Sequence, residues 1–96
     1  MFISIIIPAY NSNYMLIKTI KRIIKVLKNK KFEIIVINDA SNNKLSFKVF
    51  NKIQKIKNVS LIINSKNLGQ HNSTIKGLKK ARGKFIMLLN SDDWLP

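Results

Sequence analysis

The sequence predicts an α/β fold, a Rossmann-like open parallel sheet of about four strands with helices on both faces. Three observations carry this. Four short runs are almost wholly apolar, without strict alternation, as in strands covered on both faces. Between them lie segments whose apolar residues recur at helical spacing. Strand and helix alternate along the chain, and right-handed crossovers narrow the topology to a Rossmann-like half.

Residues 3–7 form the first predicted strand, and Pro8 closes it because proline fixes φ and donates no ladder hydrogen bond. From Tyr14 to about Lys28, Leu16, Ile17, Ile20, Ile23, Ile24 and Leu27 make one apolar face, with Lys18, Lys21, Arg22, Lys25 and Lys28 between them. Residues 33–37 are the second strand. Residues 45 to about 56 place Phe47, Phe50, Ile53 and Ile56 on one face of a second helix, with Ser41 or Ser46 available to start it. Residues 59–63 are the third strand. A third helix runs from Gln70 to about Ala81, with Ile75, Leu78 and Ala81 inward and Gly83 placed to end it. Residues 84–89 form the fourth strand.

The chain of 96 residues is one small domain or a piece of a larger one, buries roughly 60–65% of its unfolded surface, and reads as a single domain truncated at its C-terminus. The absence of cysteine excludes disulfides and thiolate metal sites. No apolar run approaches the ~20 residues of a membrane span, and the first residues do not make a signal peptide. The expected location is cytoplasmic.

The net charge of +14 admits three readings: a nucleic-acid footprint, attraction to an anionic membrane surface, or the Lys, Ile and Asn bias of A/T-rich codons. Arginine, the preferred reader of bases, occurs only at Arg22 and Arg82.

Against this background the chain has only four acids. Asp39, Asp92 and Asp93 each lie just past the carboxyl end of a predicted strand, the edge along which open parallel sheets bind ligands. Glu33 opens a strand and is expected on the solvated surface. Tyr10, after Pro8-Ala9, can present a ring to a flat ligand such as a base; the alternative is a packed turn residue. A carboxylate at Asp39 can accept from a base imide N–H or a ribose hydroxyl; alternatively it caps the next helix or makes a local turn. Gly69, in Asn67-Leu68-Gly69-Gln70-His71-Asn72, permits a tight turn, and the helix after it offers N–H groups to a phosphate. His71, the single histidine, reads as an exposed loop residue. Asn90-Ser91-Asp92-Asp93 offers hard oxygen ligands of the kind Mg²⁺ or Mn²⁺ prefers, or else a polar turn and helix cap. No P-loop and no dinucleotide fingerprint is present.

Taken together, four motifs resemble the N-terminal, nucleotide-sugar-binding half of family-2 glycosyltransferases of GT-A fold. They are Ile5-Ile6-Ile7-Pro8-Ala9-Tyr10-Asn11, Glu33-Ile34-Ile35-Val36-Ile37-Asn38-Asp39-Ala40-Ser41, Asn67-Leu68-Gly69 with Gly77, and Gly83-Lys84-Phe85-Ile86 leading to Asn90-Ser91-Asp92-Asp93-Trp94-Leu95. The resemblance implies that Pro8, Ala9, Tyr10 and Asn11 line a nucleotide pocket with Ser41 and Ser91. It implies that Asp39 contacts the base, usually uracil, and that Asn67 and Gly69 lie near the ribose and diphosphate. Asn90, Asp92 and Asp93 would occupy the metal position, holding Mg²⁺ or Mn²⁺ against the leaving diphosphate.

The implied activity is sugar transfer from a nucleotide diphosphate donor, such as a UDP-sugar, to a saccharide or polyprenyl-phosphate acceptor in cell-surface polysaccharide or glycolipid synthesis. The Asn67–Asn72 stretch resembles the N-x-G-Q-H-N form of members with polyprenyl-phosphate acceptors, which suggests peripheral association with an anionic inner membrane face. The chain departs from the family at Ser12 and Asn13, where an acid is usual. It departs again at Asn38 and Ala40 in the D-D-G-S position, at Thr74 in place of an arginine, and at Asn90 in place of the first metal-binding acid. With Asp39 on the base, Asp92 and Asp93 on the metal and Glu33 at the far end of its strand, no acid remains as general base. The expectation is donor binding without transfer. The rival readings are a small basic nucleic-acid-binding domain and a non-catalytic nucleotide-binding module.

Overall fold

The computed structural model describes residues 1–89. Its elements run β1 (Phe2–Ala9), α1 (Tyr14–Leu27), β2 (Lys31–Asn38), α2 (Lys44–Ile53), β3 (Val59–Ile63), α3 (Gln70–Lys80) and β4 (Phe85–Leu88). The four strands form one parallel sheet in the order β3-β2-β1-β4. The chain steps one way from β1 to β3, then crosses back to reach β4. Right-handed crossovers then require α1 and α2 on one face and α3 on the other. That is the arrangement found: α1 and α2 bury Leu16, Ile20, Ile23, Val49, Phe50 and Ile53 against Ile5, Ile7, Ile34 and Val36, while α3 covers Ile6, Ile35 and Ile37. The predicted α/β class stands.

Several local expectations need correction. Pro8 does not end β1; it pairs in register with Ile37, and the strand continues through Ala9. The Ile6 carbonyl accepts from Leu89 on the β4 side, and the Ala9 carbonyl accepts from Asp39 on the β2 side. Backbone groups of a strand alternate in direction, so Pro8 shares the Ile6 orientation and its missing N–H costs the β2 ladder nothing.

Helix α2 is capped by Asn43, whose side chain accepts from Ser46 N at 2.7 Å. Neither Ser41 nor Ser46 caps it; the Ser46 hydroxyl turns inward and donates to the Asn43 carbonyl. Its inner face is Ser46, Val49, Phe50 and Ile53, and Phe47 is exposed because that phase leaves it on the flank. Helix α1 matches expectation, with Asn13 accepting from Met15 N at its start.

On α3 the inward residues are Ser73 and Gly77, while Ile75 and Leu78 face outward. A Cβ on Gly77 would lie 2.5 Å from Ile6 Cγ2 and 2.8 Å from Ile37 Cδ1. The helix therefore approaches the sheet closer than an Ile or Leu face would allow. Gly83 does not end α3, which stops at an extended Ala81. Its role is close approach: a Cβ there would sit 2.7 Å from Ser4 N and 2.8 Å from Phe2 O. Strand β4 was expected to be covered on both faces; it lies at the sheet edge with Phe85, Ile86, Met87 and Leu88 exposed.

Candidate functional site

Because the sheet is parallel, β1, β2, β3 and β4 all end on one rim, and the order reverses between β1 and β4. Such a reversal leaves a crevice outside the carboxyl ends, the usual ligand position in this architecture. At β1, Tyr10 is exposed and Asn11 adopts φ 49°, a left-handed turn that asparagine tolerates. This turn is laced to the one after β2. Asn11 N donates to Ser41 Oγ at 2.8 Å, and Asn42 N donates to Asn11 Oδ1 at 2.8 Å. Ser41 N donates to Asn38 Oδ1 at 2.9 Å. Ala40 sits at φ 58°, the left-handed region that favours glycine.

Asp39 is buried and organises the rest of the rim. Its Oδ1 accepts from Leu68 N at 2.7 Å and from Asn64 Nδ2 at 2.9 Å; its Oδ2 accepts from Gly69 N at 2.9 Å. Burial pushes the Asp39 carboxyl up, but the hydrogen bonds from Leu68 N, Asn64, Gly69 N and Ser73 together outweigh it and hold the pKa below the ordinary aspartate value. A carboxylate has about four acceptor directions. Leu68 N and Asn64 Nδ2 meet Oδ1, Gly69 N meets Oδ2, and the Ser73 side chain is a fourth donor, so described residues account for the set.

The local-turn and helix-cap alternatives for Asp39 do not hold, since Asn43 caps α2. Instead Asp39 pins the turn that leads into α3. Gly69 reaches φ 87° there, and Asn67 Oδ1 also accepts from Gly69 N at 3.0 Å. The N–H groups just ahead of α3 are thus aimed at a protein carboxylate.

Two residues of this network were missed in the sequence. Asn64 follows β3, bonds Asp39 and Ser73 Oγ through Nδ2, and accepts from Lys76 Nζ at 2.9 Å. Ser73 lines the inner face of α3. The available signal was position: Ile63 pairs with Asn38, so Asn64 stands beside Asp39 in register.

Pro8, Ala9, Tyr10, Asn11, Asp39, Ser41, Asn67 and Gly69 are therefore brought to one rim. The predicted Ser91 and the predicted metal ligands Asn90, Asp92 and Asp93 lie outside the described residues. Among the described residues no group of three or more His, Cys, Asp or Glu is placed to hold a metal ion. An open cavity of about 460 Å³ lies between α2 and β3, lined by Asn38, Ser41, Phe47, Gln54 and Asn64 among others. Of the predicted nucleotide contacts among the described residues, only Ser41 reaches it.

Glu33 is not the solvated surface residue expected. It is buried at the opposite end of β2, where its Oε2 accepts from Ser4 Oγ at 2.6 Å and Arg82 N at 2.7 Å. Arg82 Nε lies 3.6 Å from its Oε1.

Comparison with known proteins agrees with this architecture. The chain is 31% identical over 94 residues to an undecaprenyl-phosphate 4-deoxy-4-formamido-L-arabinose transferase of Proteus mirabilis, covering 94% of this chain and 28% of that protein. The crystal structure of S. aureus TarS residues 1–349 in complex with UDP superposes with a TM-score of 0.71 at 26% identity, covering 98% of this chain and 28% of that one. A mannosyltransferase of Pyrobaculum calidifontis, solved with GDP-Man and Mn²⁺, gives a TM-score of 0.82 at 18% identity over 98% of this chain and 28% of its own, and shows the shared fold. The chain thus spans less than a third of the length of each. The family model for glycosyl transferase family 2 matches residues 4–96. The chain belongs to glycosyl transferase family 2.

Proposed function

We propose that this chain is the donor-binding half of a glycosyltransferase that moves sugar from a nucleotide diphosphate, a UDP-sugar, to a saccharide or polyprenyl-phosphate acceptor. The observation that carries this reading is the rim itself. Eight residues singled out for nucleotide contact share one carboxyl edge, gathered about the Asp39 carboxylate. A carboxylate at this edge suits a base imide N–H, which would replace one of its present donors, and the exposed Tyr10 ring suits the base's flat face. The UDP held by the TarS relative supports uridine as the nucleoside. The undecaprenyl-phosphate transferase relative supports a lipid-phosphate acceptor.

Asn90, Asp92 and Asp93 are all-oxygen donors whose chemistry fits Mg²⁺ or Mn²⁺, which would offset charge on the diphosphate. Glu33 is committed to Ser4 and Arg82 at the far end of β2, and Asp39 to the β3–α3 turn, which leaves neither as a general base. The chain by itself binds donor and does not transfer sugar. The proposed setting is the cytoplasm, at the inner membrane face.

Calorimetry with UDP, GDP and CDP, with and without Mn²⁺, tests this. UDP binds most tightly, Mn²⁺ strengthens it, and Tyr10→Ala weakens it about tenfold through lost stacking. A folded chain that ignores UDP, or a UDP affinity untouched by Tyr10→Ala, overturns the reading.

A further inference from the structure

We infer that the outer face of α1 and α2 is a docking surface for an anionic lipid bilayer. The helices lie side by side on one face of the sheet and contact each other, with Lys52 Nζ 5.5 Å from the centre of the Tyr14 ring. With Leu16, Ile20 and Ile23 inward, helical geometry turns Lys18, Lys21 and Lys25 directly away from the sheet. With Val49, Phe50 and Ile53 inward, Lys44 and Lys48 do the same on α2, and Lys55 is exposed in the turn just past its end. All six are exposed. Neither helix contains an acid. The two acids among the described residues, Glu33 and Asp39, are buried in β2 and past its end, so no surface carboxylate there neutralises this face.

Exposed apolar side chains border the charge: Tyr14 and Val26 on α1, Leu45 on α2, and Phe47 on the α2 flank toward β3. Lysines with interspersed apolar groups on a broad two-helix face fit a headgroup layer, where lysine supplies charge and the apolar groups enter the interface. Duplex DNA is favoured less. These six cations are all lysine, and none can make the bidentate fork by which arginine reads bases.

The orientation has a consequence. Both helices begin at the rim that carries Tyr10 and Asp39, since α1 follows β1 and α2 follows β2. A molecule lying on this face holds that rim beside the bilayer, open sideways, within reach of a phosphate carried by a lipid. This last step rests on the transferase reading above; the docking itself does not.

The test is co-sedimentation of the 96-residue chain with phosphatidylcholine vesicles, with and without phosphatidylglycerol. The face variant is K18Q/K21Q/K25Q/K48Q, and a control, K66Q/K79Q/K80Q/K84Q, removes as many charges elsewhere. All eight lysines are exposed, and circular dichroism confirms that both variants remain folded. Each charge near the surface is worth about fivefold in binding, so the face variant binds anionic vesicles roughly a hundredfold more weakly after allowance for screening, while the control changes by less than about tenfold. UDP binding without vesicles is the same in both, which separates failure here from failure of the donor site. Equal losses in the two variants, or no dependence on phosphatidylglycerol, overturn the proposal. So does a face variant that loses duplex DNA binding while keeping vesicle binding, which would assign the surface to nucleic acid.

Discussion

Strand β2 carries a buried carboxylate at each end, and the two are held in different ways. At the amino end, Glu33 accepts from Ser4 Oγ and Arg82 N and has the Arg82 guanidinium beside it. Just past the carboxyl end, Asp39 is held by neutral donors alone: Leu68 N, Gly69 N and Asn64 Nδ2. Its nearest link to a cation runs through Asn64 to Lys76. Glu33 is a closed clamp. It ties β1, β2 and the approach to β4 together, since Gly83 N also donates to Ser4 Oγ. Asp39 is a set of fixed dipoles around a charge that no described cation neutralises directly. The first arrangement pairs the charge with a cation; the second leaves it surrounded by neutral donors at the carboxyl rim. Backbone strain follows the same division. Asn11, Ala40 and Gly69 adopt positive φ at the carboxyl rim, while Asn58, ahead of β3, does so at the other.

The largest effect is expected from Asp39→Asn. An amide cannot accept from both sides, so its NH₂ meets Gly69 N or Leu68 N donor to donor. Urea unfolding should show a loss of about 3 kcal/mol. The same variant tests the charge. The Asp39 pKa is lowered in the folded state, so its contribution is fully present above the unfolded aspartate value near ~3.9 and is lost as pH falls through the lower folded value. The wild-type chain should lose this stability on acidification below about pH 4, and Asp39→Asn should flatten that part of the curve. An unchanged acid limb would show that Asp39 is not the charge being titrated.

A smaller effect is expected from Glu33→Gln. One amide oxygen can still accept from Ser4 and Arg82 N, and Arg82 is largely exposed, so its ion pair is screened. The expected loss is about 1 kcal/mol, and UDP affinity should not change. A loss as large as that of Asp39→Asn would erase the distinction between the two ends.

The smallest effect has the opposite sign. Ala40→Gly relieves a left-handed alanine, worth about 1–2 kcal/mol, against a glycine entropy cost of about 0.5–1 kcal/mol. A thermal melt should show a net gain between zero and about 1.5 kcal/mol, centred below about 1 kcal/mol. A loss would mean that the turn after β2 is not strained.

Much of the architecture was legible in the sequence. The apolar runs of β1 and β2 marked strands covered on both faces, as they are, and Leu16, Ile20 and Ile23 gave α1 its phase. The placement of Asp39 past a strand marked the ligand rim. The inward face of α3 was misread because hydrophobic periodicity assumes that large apolar residues face the core. Here Ser73 and Gly77 do, since close approach to Ile6 and Ile37 leaves no room for more. Phe47 was misread on the same assumption.

The sequence by itself determined which segments are strands and helices and at which strand ends its acids lie, because periodicity and the position of a residue past a strand are local or nearly local properties. Only the tertiary structure decided the partners of the acids. Ser4 and Glu33 lie 29 residues apart, and Asp39 and Gly69 lie 30 apart. Whether a carboxylate is clamped by a cation or cradled by amides depends on which loops arrive beside it, and no repeat or spacing along the chain encodes that meeting.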